Sequence, residues 1–197
     1  MSVEALGDGS PLDADGALRA VWSGQPLLRR GLARWRRLGS VPVLRAELRE
    51  QELLWCPLWL ARTLVTADRP PFPPRRSAVA VFVDGLSGYA GLLGGAAPTA
   101  VVDPVEGRVL APVLDEEQAR DRVTEVQRQQ IDRSYPLRKP LHRIESVRLV
   151  HLPVRRLHLA GPRAEAAGVA GSWHVNAVSG ELETHLAREW SRAGQEP

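Results

Sequence analysis

Val83-Asp84-Gly85-Leu86-Ser87-Gly88 and Val175-Asn176-Ala177-Val178-Ser179-Gly180 carry the same turn chemistry twice in one chain. Each closes an alternating apolar run. An Asx side chain at the end of a strand accepts hydrogen bonds from backbone N–H groups two or three residues on, which starts a tight turn. A glycine a few residues later can take the positive φ of a hairpin loop. Asp84 with Gly88, and Asn176 with Gly180, meet both demands at the same spacing, so these four residues read as structural turns. A calcium loop needs about six or more oxygen ligands, and each turn offers only one or two.

Upstream of each turn lies an apolar, strand-like segment containing a proline, Pro57 or Pro153. Further upstream, Asp13 and Asp115 each stand where a helix N-cap is expected, ahead of Leu18, Val21 and Trp22 in one case and Ala119, Val123 and Val126 in the other. The offset between corresponding residues falls from 102 at the caps to 96 at the prolines and 92 at the glycines. Changes of loop length in a duplicated unit produce such a drift. The expected fold is therefore α+β, with two tandem repeats, each a helix packed on a small antiparallel β-sheet. Residues 1–10 read as a flexible lead-in, 11–95 as the first helix-plus-sheet unit, 96–111 as a connector, 112–190 as the second unit and 191–197 as a flexible tail.

Within the first unit, Leu28, Leu32 and Trp35 mark a second helical run ending near Gly39. From Val43 the period shortens, and Leu53 to Val65 reads as a long strand bent at Pro57. Arg69-Pro70-Pro71-Phe72-Pro73-Pro74-Arg75-Arg76 reads as a loop with polyproline II character, and Thr99 to Leu110 as a short hairpin. Trp22, Trp35 and one sheet tryptophan are expected to form the helix–sheet core of this unit. In the second unit Ile144 to Leu159 is the long strand.

The second turn with its flanks, His174 to Leu182, resembles the closing hairpin of PepSY-type domains. Phe82 to Gly88 is a looser match, and Trp55-Cys56-Pro57-Leu58-Trp59 is similar to the strand that pairs with such a hairpin. The resemblance covers about half of the chain and implies a helix across a small antiparallel sheet, twice over. It also implies a non-enzymatic regulatory, inhibitory or interaction module. Many members of that family are exported or membrane-attached, whereas Met1 to Gly16 is acidic and polar and lacks the pattern of a signal peptide. The cytoplasm is the expected location.

Composition narrows the function further. Hydrophobic residues make up 44% of the 197, and mean hydropathy is −0.21. A single cysteine, Cys56, excludes an internal disulfide framework. The formal charge is +3 and Lys139 is the only lysine, so arginine carries the basic character. Arginine bias of this kind points to a charged partner only where it clusters.

Arg29, Arg30, Arg34, Arg36 and Arg37 form such a cluster, on the run whose other face holds Leu28, Leu32 and Trp35. With Trp55 and Trp59, four residues apart and so on one face of a strand, they are the candidate partner surface. His151 and His158 are seven apart on a strand and should face opposite ways, which makes no metal site. Cys56 sits in the most apolar part of the chain, where a thiolate is disfavoured. No catalytic residue, cofactor or metal is assigned, and an enzyme is not expected. The expected function is a non-enzymatic protein-interaction or assembly module; nucleic-acid binding through the Arg29–Arg37 helix is the second reading, and a small ligand between helix and sheet the third.

Overall fold

A computed structural model of the chain describes residues 2–27, 30–31, 40–94, 98–136, 138–195 and 197. Its elements are β1 (Val3–Leu6), α1 (Ala14–Ser23), α2 (Val41–Ala46), β2 (Leu48–Arg69), β3 (Phe72–Asp84), β4 (Ala90–Leu93), β5 (Thr99–Val102), β6 (Arg108–Val109), α3 (Glu116–Val126), β7 (Leu141–Leu159), α4 (Pro162–Ala167), β8 (Gly171–Asn176) and α5 (Thr184–Arg192). The fold is α+β. A π-helical turn, Gln127–Ile131, prolongs α3.

One mixed, mostly antiparallel sheet of eight strands organises the molecule, larger than the small sheets expected. Its main path is β4-β3-β2-β7-β1-β5, with β6 beside β2 and β8 beside β7. The two long strands, β2 and β7, are antiparallel neighbours. Their pairing has a centre: Cys56 faces Leu152, with Trp55 opposite Pro153 and Pro57 opposite His151. Outward from that centre the register recurs. Leu58 pairs with Asp84 on β3, and Val154 pairs with Asn176 on β8.

The two turns share their backbone bonds. Gly88 and Gly180 donate their N–H to the carbonyls of Asp84 and Asn176, and Gly85 and Ala177 donate to those of Pro57 and Pro153. The Asx side chains accept as expected, Asp84 from the Ser87 N–H and Asn176 from Val178 and Ser179. Gly88 and Gly180 have φ of 75° and 73°, the left-handed region that glycine enters without strain.

Helix capping follows the sequence. Asp13 accepts from Gly16 N–H, and Asp115 closes a capping box with Gln118. The helices do not pack where proximity in sequence places them. α1 buries Ala17, Leu18 and Val21 against Leu157, Leu159 and Val175 of β7 and β8, with Trp22 on the same cluster. α3 buries Ala119, Val123 and Val126 against Trp59, Ala61, Val81 and Val83 of β2 and β3. Each helix thus covers the hairpin of the other half of the chain. The expected core of Trp22 with Trp55 or Trp59 does not form; Trp22 shares its cluster with Trp173 of β8 instead, and Trp35 lies outside the described residues.

Other expectations are corrected locally. Residues 1–10 include β1, which is held between β5 and β7. Val41–Ala46 is a helix with Pro42 in its first turn, where a missing N–H costs nothing. β5 and β6 do not form a hairpin: β5 pairs with β1 and β6 with β2. The proline-rich segment is the tip of the β2–β3 hairpin, closed by Arg69 opposite Phe72. In the expected tail, the main-chain oxygen of Pro197 accepts from Arg156.

Candidate functional site

Alternation along β2 divides the sheet into two faces. Trp55, Trp59, Ala61 and Val65 point to the face that α1 and α3 cover, while Leu54, Cys56, Leu58, Leu60 and Arg62 point to the other. Trp55 and Trp59 are therefore core residues, 1% and 9% exposed. Each indole N–H is satisfied by a carbonyl, Trp55 by Glu106 at 2.7 Å and Trp59 by Leu114 at 2.9 Å. They are unavailable as a partner surface. Of the arginine cluster, only Arg30 is among the described residues, and it is half-buried; Arg29, Arg34, Arg36 and Arg37 lie outside them.

On the opposite face α5 lies over the centre of the β2–β7 pair. Leu186 and Trp190 pack on Leu54, Cys56, Leu152 and Val154. The Trp190 indole donates to Asp84 Oδ2 at 2.9 Å, and the Ser87 hydroxyl donates to the same oxygen. Burial pushes the Asp84 carboxyl above its ordinary range, against the opposing pull of the Ser87 and Trp190 hydrogen bonds. Glu183, which accepts from the Asn176 amide at 2.7 Å, is raised for the same first reason. Burial, reinforced by Asp84 and Glu183, also pushes the Cys56 thiol up. Arg108 pulls the other way, but burial and the two carboxyls outweigh it, and they disfavour the thiolate that a nucleophile needs.

His151 and His158 do face opposite ways. His151 is buried opposite Pro57 and pushed down by burial, while His158 Nδ1 contacts the Ser172 hydroxyl at 3.1 Å. Beyond α5, a polar cleft of about 610 Å³ includes Glu50, Glu52, Arg156, His158 and His174. Glu52 is already shared between Arg108 and Arg156. Among the described residues no group of three metal-ligating side chains comes together. At the helix–sheet interfaces, the place of the third reading's small ligand, α1 and α3 pack on the sheet through apolar clusters.

The charged surface is at the far end of the sheet. β7 pairs with β2 only as far as Thr66 opposite Leu141, whereas β3 pairs with it to Arg69. The tip beyond is therefore a two-stranded ribbon. Residues 62–76 and 138–148, which form this limb, hold eight arginines and lysines against Asp68 and Glu145. The chain's whole formal excess is +3, so the remainder is net acidic. Arg62 and Arg143 share Glu145, and Arg138 pairs with Asp68. Among the described residues Arg69, Arg75 and Arg76 have no acidic partner. At the tip Phe72 is 68% exposed, and Leu141 at the start of β7 is 76% exposed.

Sequence reading passed over this surface. Its signal was present in Arg69, Arg75 and Arg76 flanking four prolines, but Arg62 and Arg143 join them only through strand pairing. Comparison with protein-family models, curated proteins and solved structures finds no match for the chain. Among the described residues, no helix is long and apolar enough to cross a membrane.

Proposed function

We propose that the chain is a non-enzymatic binding module on a duplicated, PepSY-like scaffold, and that its partner-contacting surface is the arginine-rich limb. The duplication is supported by the recurring register, the shared turn bonds and the paired helix caps. The observation that carries the binding function is charge segregation: a net-acidic body holds a limb of eight cations, three of them, at the tip, without an acidic partner among the described residues. Concentrated like charge raises the energy of the free protein and is relieved by a counter-charged partner. The partner is thus a macromolecule bearing negative charge.

A native pull-down at low and moderate salt, with and without nuclease, tests this reading. Wild-type protein should capture a stoichiometric partner, and Arg69→Gln/Arg75→Gln/Arg76→Gln should lose it while keeping the wild-type unfolding midpoint. A partner retained equally by the triple variant would overturn the assignment of the limb. A turnover activity abolished by Cys56→Ala would overturn the non-enzymatic reading.

A further inference from the structure

We infer that the limb binds duplex DNA, its two-stranded tip entering a groove with Phe72 leading. The inference rests on the reading of the limb as the binding surface and names the partner. Three features favour a nucleic-acid duplex over an acidic protein. The first is the distribution of charge: from Arg148, paired with Glu4, and Arg62 and Arg143, which share Glu145, on the three-stranded part, the cations continue through Arg76 to Arg69 at the tip, along the limb and not around a pocket. Neighbouring strands lie about 5 Å apart and same-face residues about 7 Å apart, so the arginines form a row that can follow a backbone of regularly spaced phosphates. The second is shape. A two-stranded β-ribbon is an element that a B-form major groove, about 12 Å wide, admits, and beyond Thr66 the limb is only two strands.

The third is the tip itself. Pro70, Pro71, Phe72, Pro73 and Pro74 are all exposed, between Arg69 on one side and Arg75 and Arg76 on the other. An apolar point stiffened by prolines and flanked by arginines can meet base edges in that groove while the guanidinium groups hold phosphates on both sides. An acidic peptide would use the charge, but has no use for an exposed aromatic ring at the extremity.

Fluorescence anisotropy with a labelled mixed-sequence 24-base-pair DNA duplex and the full chain, titrated between about 50 and 200 mM salt, tests the inference. A labelled polyglutamate peptide is measured in parallel. Wild-type protein should bind the duplex with affinity that falls steeply with salt. The triple variant Arg69→Gln/Arg75→Gln/Arg76→Gln should lose on the order of a hundredfold at 0.1 M salt, with a salt slope shallower by about 3 if all three arginines meet phosphates. Phe72→Ala should weaken binding with the salt slope unchanged, a signature that bulk charge does not give. Polyglutamate bound as tightly as DNA, and lost in the triple variant, would overturn the DNA assignment and leave the limb as the binding surface. DNA bound equally by the wild type and the triple variant would overturn the DNA assignment to the limb. No binding of either probe at 50 mM salt would overturn both.

Discussion

Toward the α3 end of the sheet, on one side of the centre of the β2–β7 pair, a tryptophan ties a helix entry to the sheet; toward the α1 end, on the other side, an arginine does the same. Trp59 donates to the carbonyl of Leu114 just before α3, and Arg155 donates to that of Leu12 just before α1. Leu114 and Leu12 in turn donate their N–H to Gly85 and Ala177 in the two turns. The positions correspond at the offset of the prolines, so what is kept between the two ends is a donor at one place and not a residue type. The two ends are held by different forces. Trp59 joins an apolar cluster with Val81, Val83 and Val123, whereas Arg155 is half-buried and its guanidinium is pulled down by burial despite Asp13 nearby.

Truncation should therefore break the two ends unequally. Trp59→Ala removes a buried indole and should cost about 3–5 kcal/mol, read as the shift in urea unfolding. Arg155→Ala loses a charge-assisted hydrogen bond, for about 1.5–3 kcal/mol. Equal costs would mean that the shared hydrogen bond, not the packing, dominates at both ends.

The two turns also differ, by less. Alanine at either positive-φ glycine should cost about 1–2 kcal/mol. A Cβ on Gly88 would come 3.2 Å from Leu114 Cδ2, while one on Gly180 would lie 3.9 Å from Leu12 Cδ2. Gly88→Ala should accordingly be the more damaging, and thermal unfolding of the pair decides it.

The smallest effect concerns the Asx residue itself. Asn176 shows that an amide can hold this turn, so Asp84→Asn should fold. Burial raises the Asp84 carboxyl, so the folded chain binds that proton more tightly than the unfolded chain. Its stabilising contribution is full below the ordinary aspartate range, about 3.9, and is lost as pH rises through the raised value. Denaturation midpoints at about pH 4.5 and 7.5 should therefore differ less in Asp84→Asn than in the wild type. An unchanged pH dependence would assign the effect to Glu183, which is raised in the same direction.

Turns and caps were legible in the sequence because each depends on residues within a few positions of one another. Asp13, Asp115, Gly88 and Gly180 act as their spacing says. Helix placement was not legible, because the apolar faces of α1 and α3 fit either hairpin and only the pairing of β2 with β7 decides which one is near. The limb was obscured by its prolines. Proline cannot donate to a sheet ladder, so residues 69–76 read as a loop. The ribbon accommodates Pro73 and Pro74 at the register shift between Ala67 and Arg69. Trp55, expected with Trp59 and the arginine cluster on the partner surface, is buried because β6 runs alongside it and brings Glu106 into reach.

The crossing of the helices has a consequence for synthesis. A chain made from its N-terminus completes β2 and β3 some thirty residues before α3, and until then Trp59, Val81 and Val83 lack their cover. Over the same interval α1 exists without Leu157, Leu159 and Val175, which come near the end. The nascent first half thus carries two uncovered apolar faces that belong to partners not yet translated. A cut between the halves leaves fragments that must find each other to fold.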